Sequence, residues 1–275
     1  MSTIAVTGVT GHIGGLVASG LAERGLEPRL LLRNPEKAAG LPADRIAVAP
    51  YGDDAACRSA LAGVDLLFMV SAAESADRLE QHRTFIDAAA AASFLGASPT
   101  ATFTLARDHA VTEEQLRTSG MAWTFLRDSF YLDLLPEFAD EDGLIRGPAG
   151  EGRVGAVLRT DVARSAVAVL TDQANQRQDH TGKSYDLTGP ASLTLAEIAQ
   201  IVTEETGRKV GFHDETLEEA YTSRSSYGAP PWQLDAWVST YTAIKAGELD
   251  VVTSAVGDLT GSPARSLREH LRAGG

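Results

Sequence analysis

The chain opens on a short apolar run, Ile4 to Thr7, that stops at Gly8. A run this short and continuous reads as a strand buried on both faces of a parallel sheet. From Ile13 to Arg24 the period changes: Ile13, Leu16, Val17 and Leu21 share one helical face, and Gly25 stands where the helix should stop. The alternation then repeats, with strands expected at Arg29–Leu32, Arg45–Ala49 and Val64–Val70 and helices at Pro35–Ala39 and Asp54–Leu61. This rhythm predicts right-handed βαβ units on a parallel sheet. A long helix is expected over Arg78–Ala92, a shorter one over Thr112–Arg117, and a strand at Trp123–Leu126.

Beyond about residue 130 the rhythm loosens. Phe130–Glu137 is apolar and aromatic, which suits a pocket wall, and Gly143–Gly155 reads as a glycine-rich crossing segment. A helix capped by Thr160 or Asp161 should run through Leu170, a strand should cover Ser184–Thr188, and Thr194-Leu195-Ala196-Glu197 is a capping box opening a helix to about Thr206. The expected fold is α/β, a Rossmann-type doubly wound parallel sheet with a smaller, mainly helical C-terminal lobe.

Composition narrows the partners. The 275 residues are 44% apolar, enough for a full core, and carry a formal net charge of −13. Such a surface repels phosphate backbones and anionic lipid, so neither nucleic acid nor membrane is an expected partner. No apolar run approaches the roughly 18 residues of a spanning helix. The N-terminus lacks the basic and apolar regions of a signal peptide, and the lone Cys57 suits a reducing cytoplasm. The six histidines show no metal-ligand spacing. Nothing in the sequence sets an oligomeric state.

The chemistry sits between the first strand and the first helix. Gly8, Gly11 and Gly14 recur every third residue there, as a turn needs if its backbone is to approach a pyrophosphate and its helix is to pack close to the sheet. The helix N-terminus then offers N–H groups to the phosphates. In this context the pattern reads as a dinucleotide site; alone, it is an ordinary strand-to-helix turn. Arg33 ends the second strand, where a basic residue suits the 2′-phosphate of NADP and an acid would suit NAD. Lys37 follows one helical turn later. NADP(H) is therefore the preferred cofactor, with NAD(H) possible. Residues 1–130 form the dinucleotide-binding unit, with sheet additions expected from about 153–160 and 184–189, and residues 131–275 are mostly a substrate-side lobe.

The Gly-x-x-Gly-x-x-Gly turn with Arg33-Asn34-Pro35-Glu36-Lys37 resembles the atypical short-chain dehydrogenases of the NmrA-like group. Ser93–Ala97, Thr102–His109, Thr124–Asp128, Tyr185–Pro190 and Trp232–Trp237 make the chain similar to the branch that holds NAD(P)H:quinone oxidoreductases and triphenylmethane reductase. The resemblance implies a cofactor shell of Gly8, Thr10, Gly11, His12, Ile13, Gly14, Arg33 and Lys37. It puts Tyr51 near the adenine and Ser71 and Ala72 beside the nicotinamide ribose. Phe94, Phe130, Tyr131 and Trp232, with Trp237, are candidate walls for a small planar aromatic substrate, although aromatics at such positions are more often core.

Two departures stand out. Leu105 and His109 occupy the places of the Tyr-x-x-x-Lys pair that serves the usual mechanism. Leucine donates no proton, and His109 is either a donor, a ribose contact or a polar helix-start residue. Between Ala92 and Ser93, related proteins carry roughly eight more residues that form a central strand, about the usual strand length. Either Ser93–Leu95 or another strand rebuilds the sheet, or the sequence is short by that segment; unsatisfied backbone at a buried edge favours the last. The implied function is an NADPH-dependent reductase passing hydride to a quinone-like acceptor. The alternatives are an NADP(H)-sensing regulator without turnover and, less so, a tailoring enzyme acting on aromatic polyketide quinones.

Overall fold

The computed structural model describes residues 2–71, 75–86, 93–94 and 98–274. In chain order the first unit contains β1 (Ile4–Val6), α1 (His12–Ala22), β2 (Arg29–Leu32), β3 (Ile46–Val48), α2 (Asp54–Leu61), β4 (Leu66–Phe68), α3 (Arg78–Ile86), β5 (Ser93–Phe94), α4 (Thr104–Thr118) and β6 (Thr124–Asp128). There follow β7 (Leu144–Gly147), β8 (Arg153–Val154), α5 (Arg159–Ala174), β9 (Lys183–Leu187), β10 (Leu193–Thr194), α6 (Leu195–Thr206) and β11 (Gly211–Asp214). The chain closes with α7 (Leu217–Ser225), α8 (Pro231–Lys245), α9 (Ala255–Thr260) and α10 (Leu267–Arg272).

Among the described residues, parallel strands pair in the order β3-β2-β1-β4 and, separately, β5-β6-β9. Both faces are covered. On one, Val17 and Leu21 of α1 and Val162, Ala166 and Val167 of α5 pack against Val6, Leu30 and Phe68. On the other, Phe85 of α3 and Leu116 of α4 meet Ala5, Leu31 and Phe125. Burial rather than propensity makes α1 a helix: no side chain caps it, and it contains glycines at 14, 15 and 20, yet Val17 and Leu21 are fully buried. The C-terminal lobe closes its own core around Leu195, Ile198 and Val202 of α6, with Leu132, Ile145 and Ile244.

Several expected boundaries move. The Pro35 segment is a single 3₁₀ turn, Pro35–Ala38, capped by Asn34 Oδ1 accepting from Glu36 N–H. The helix placed at Thr112–Arg117 begins at Thr104, because Ala106 and His109 are buried with it. Neither Thr160 nor Asp161 caps α5, which starts at Arg159. The Asp161 carboxylate is instead fully buried, taking Arg164 Nε at 2.8 Å and the Arg265 N–H at 2.8 Å. The capping box at Thr194 and Glu197 is present as expected.

The sheet addition expected at 153–160 is a correction. β8 pairs antiparallel with β10 in the C-terminal lobe, tied there by Arg153 to Ser192 O and Glu197, and only an isolated bridge from Val157 to Tyr131 prolongs the line of β6. Within the segment expected at 184–189, β9 (Lys183–Leu187) pairs parallel with β6. Moreover α5 packs on α1, so the chain returns to the first unit after residue 131. The Ala92–Ser93 junction lies outside the described residues. Ser93–Phe94 do pair with Arg127–Asp128, whereas the described partner of β4 is β1.

The lobes are tied at the start of α4. The Thr102 N–H donates to the Glu248 carboxylate at 2.9 and 3.0 Å, and the Thr104 N–H donates to Ser239 Oγ at 3.1 Å. Phe103, between them, packs with Ala106 and with Ala243 of α8.

Candidate active site

β2 and β3 lie on one side of β1 and β4 on the other. The C-terminal end of β1 is thus the topological switch point, where an open α/β sheet leaves a crevice for a ligand. The glycine turn fills that position. Gly8 has φ +63, and a Cβ on Gly14 would stand 2.3 Å from Gly8 O and 2.5 Å from Thr7 O. Only glycine lets α1 sit this close to the turn. Thr10, Gly11 and His12 are exposed, Ile13 is half-buried, and no acidic residue stands in the first turn of α1. The uncapped N-terminus therefore presents N–H groups and the positive end of the helix dipole to an anion.

Beside this turn lies a cavity of about 350 Å³. Ile13 closes it from α1, Val70 and Ser71 from the segment after β4, and Leu126 and Asp128 from the end of β6. Leu105 and His109 of α4, Arg78 of α3 and the aromatics Phe103, Phe130, Tyr131 and Phe138 complete the wall. The rings of Phe103 and Phe130 lie 5.6 Å apart and tilted by 44°. Phe103, Phe130 and Phe138 also border a wider cleft of about 760 Å³ that runs into the C-terminal lobe past Tyr227, Trp237 and Tyr241.

Charge in the cavity is arranged around two pairs. Arg78 Nη2 lies 3.1 Å from His109 Nε2. A guanidinium can only donate, so Nε2 accepts. Burial first, and then the charge of Arg78, hold His109 well below its ordinary pKa, so it stays neutral. The second pair is Tyr131, whose hydroxyl donates to Asp128 Oδ2 at 2.5 Å. Burial pushes the Asp128 carboxyl up to about 6 against the opposing pull of that hydrogen bond, and burial also raises the Tyr131 phenol.

The sequence was compared with known proteins. The model of the NAD(P)H-binding family matches residues 8–173, more than half of the chain. The chain belongs to the NAD(P)H-binding family. It is 33% identical to quinone oxidoreductase 2 of Escherichia coli over 97% of this chain and 96% of that protein. The structure of an NADPH-dependent quinone oxidoreductase of Escherichia coli complexed with NADPH superposes with a TM-score of 0.86, at 32% identity and over 98% and 99% of the two chains. The triphenylmethane reductase of Citrobacter sp. complexed with NADP(H) gives 0.83 at 30% identity, over 98% and 99%. The negative transcriptional regulator NmrA, in complex with NAD, shares the fold at 17% identity, with a TM-score of 0.72 and coverage of 98% and 94%.

In this NAD(P)H-binding chain the expected site residues do not all come together. Gly8, Thr10, Gly11, His12, Ile13 and Gly14 form the turn, and Ser71, His109, Phe130 and Tyr131 line the cavity beside it. Arg33 and Lys37 are exposed past the end of β2, in no ion pair among the described residues. Tyr51 is a correction: it is 6% exposed, stacks on Phe85 at 4.2 Å, donates to the Val70 carbonyl at 2.7 Å and lies 2.7 Å from Thr7 Oγ1. It props the ends of β1 and β4 from inside and has no face left for an adenine. Trp232 is also displaced, exposed on the first turn of α8, while Trp237 borders the wider cleft. Ala72 and the side chain of Phe94 lie outside the described residues. Arg78, Phe103, Asp128 and Phe138 were not singled out as site residues. Asp128 carried a signal: a carboxylate at the C-terminal end of a parallel strand, where such sheets bind ligands.

Proposed function

We propose that this chain is an NADPH-dependent reductase that delivers hydride to a planar aromatic acceptor such as a quinone. One observation carries the reading: an apolar, aromatic cavity meets the glycine turn at Ile13 and is lined by Leu105 and His109, the residues that the resemblance sets in the places of the Tyr-x-x-x-Lys pair. The dihydronicotinamide ring supplies the hydride when bound; the rest is done by the chain. N–H groups of the turn hold the pyrophosphate, Arg33 with Lys37 takes the 2′-phosphate, and Ser71 lies toward the nicotinamide ribose. Phe103, Phe130 and Tyr131 hold a flat ring and exclude water. Residues 1–130, completed by α5 and β9, carry the cofactor in this reading, and the later lobe lends the outer wall.

Leu105 gives no proton and His109 is held neutral, by burial first and then by Arg78, so neither replaces the proton donor of the usual pair, and simple ketones, which need a donor placed there, are poor acceptors. A regulator that only senses the dinucleotide needs no such cavity. We place the reaction in the reducing cytosol, on the ground that the buried Cys57, its thiol pushed up to about 11, is the one cysteine of the chain. The test is NADPH oxidation followed by absorbance with quinones and with simple ketones. Quinones should react at least ~10²-fold faster. Equal rates would remove the argument from Leu105, and no oxidation with any quinone or cationic dye would return the chain to the sensor reading.

A further inference from the structure

The cavity contains a group that this reading does not use. We propose that the Asp128 carboxyl, which lines the cavity in the grip of Tyr131, delivers the proton that a quinone needs once it has received hydride. The inference rests on the reductase reading and adds a proton donor to it.

The geometry singles out Asp128. It is the buried last residue of β6, and among the described residues it is the one carboxyl lining this cavity. Its register partners, Phe94 on β5 and Leu187 on β9, are apolar residue types. The charged and titratable groups that line the cavity with it are Arg78 from α3, His109 from α4 and Tyr131, and the Asp133–Arg159 pair, 2.6 Å apart, acts electrostatically on Tyr131. A guanidinium is too weak an acid to serve. His109 is neutral, its Nε2 already accepting from Arg78. The Tyr131 phenol is driven toward holding its proton. The Asp128 carboxyl, raised to about 6, is protonated in about a tenth of molecules at pH 7, within the range where general acids work.

The step balances. Hydride brings two electrons to the quinone, which is reduced as the dihydronicotinamide is oxidised. The new charge collects on a carbonyl oxygen. The Asp128 O–H bond breaks, an O–H bond forms on that oxygen, and the electron pair stays on the carboxylate, where the Tyr131 hydroxyl already donates. Water then returns a proton to Asp128. A cationic triarylmethane dye differs in one respect: hydride neutralises its central carbon, and no proton is required.

The two acceptors give the test. In wild type, quinone turnover should fall as pH rises through about 6, and dye reduction should not follow that profile. Asp128→Asn keeps the size and an oxygen for Tyr131, and should lower the ratio of quinone to dye rates by ~10²–10⁴. A second readout needs no turnover: without cofactor, the infrared band of a protonated carboxyl should persist to about pH 6 and vanish in Asp128→Asn. Equal loss with both acceptors would mean that Asp128 only shapes the cavity. An unchanged ratio, or a carboxyl already ionised at pH 5, would also overturn the proposal. Wild-type protein that reduces neither acceptor would bring down the reductase reading itself, and this inference with it, whatever the infrared titration shows.

Discussion

Gly14→Ala tests the central geometric claim with a single methyl group. The added carbon would stand 2.3 Å from Gly8 O, 2.5 Å from Gly8 C and 2.5 Å from Thr7 O, where ordinary contact begins near 3.4 Å. About 1 Å of movement is needed to clear it, and all three atoms are backbone. They cannot swing aside as a side chain would, and Gly8 O already accepts the Gly11 N–H at 2.8 Å. Either the turn opens or α1 lifts from the sheet, dragging the fully buried Val17 and Leu21. Overpacking of this kind costs ~1–3 kcal/mol, which in a chain of this size lowers Tm by roughly 2–12 °C. Cofactor affinity should fall as well, because the N–H groups of the first turn are displaced. Gly52→Ala is the control, since its Cβ would meet nothing within 4 Å and no positive φ is recorded there. Melting and NADPH titration of both variants decide the matter. A Gly14→Ala protein that melts with wild type and binds NADPH equally well would refute the close-packed turn.

Arg33→Ala should leave the fold intact, because the side chain is exposed and in no described ion pair, and should narrow the preference for NADPH over NADH by ~1.5–3 kcal/mol, or about 10- to 150-fold in the ratio of dissociation constants. Calorimetric titration with both cofactors measures it, and equal affinity in wild type would remove the argument. His109→Ala should change quinone turnover by less than ~tenfold; a thousandfold loss with cofactor affinity intact would make it the acid in place of Asp128. His82 is buried and held at about 4, by burial first and then by Arg78, against an ordinary value of 6.5. The unfolded chain therefore binds a proton that the folded one refuses. Stability should fall as pH drops below about 6.5 and level off near 4, by roughly 3 kcal/mol from this residue. Denaturant unfolding of wild type and His82→Gln at pH 7 and 4.5 isolates the contribution; identical pH slopes would contradict it.

The first strand, the glycine turn and α1 were legible because period and punctuation agree there: an apolar run, glycines at three-residue intervals, then a helical face ending at Gly25. The Thr194 capping box was legible for the same reason, being a local exchange of two hydrogen bonds. What failed depended on distant partners. Asp161 looks like a cap, but Arg265, more than a hundred residues later, draws its carboxylate into the interior. Tyr51 follows a strand where adenine would lie, yet Val70 and Phe85 turn it inward. Arg153–Val154 has a strand's residues, and only its pairing with Leu193–Thr194 shows to which lobe it belongs. Asp128 escaped notice as a site because its meaning comes from burial and from Tyr131, and neither is written in the run Thr124–Asp128.

The amides on either side of Phe103 are held by Glu248 and Ser239, so a ring that lines the cavity is hung from the opposite lobe. The inner wall and the outer cleft share that ring, together with Phe130 and Phe138. Selection can therefore widen or narrow the acceptor range through residues that never touch an acceptor, by letting one hinge of the wall slacken while the nucleotide side keeps its grip unchanged.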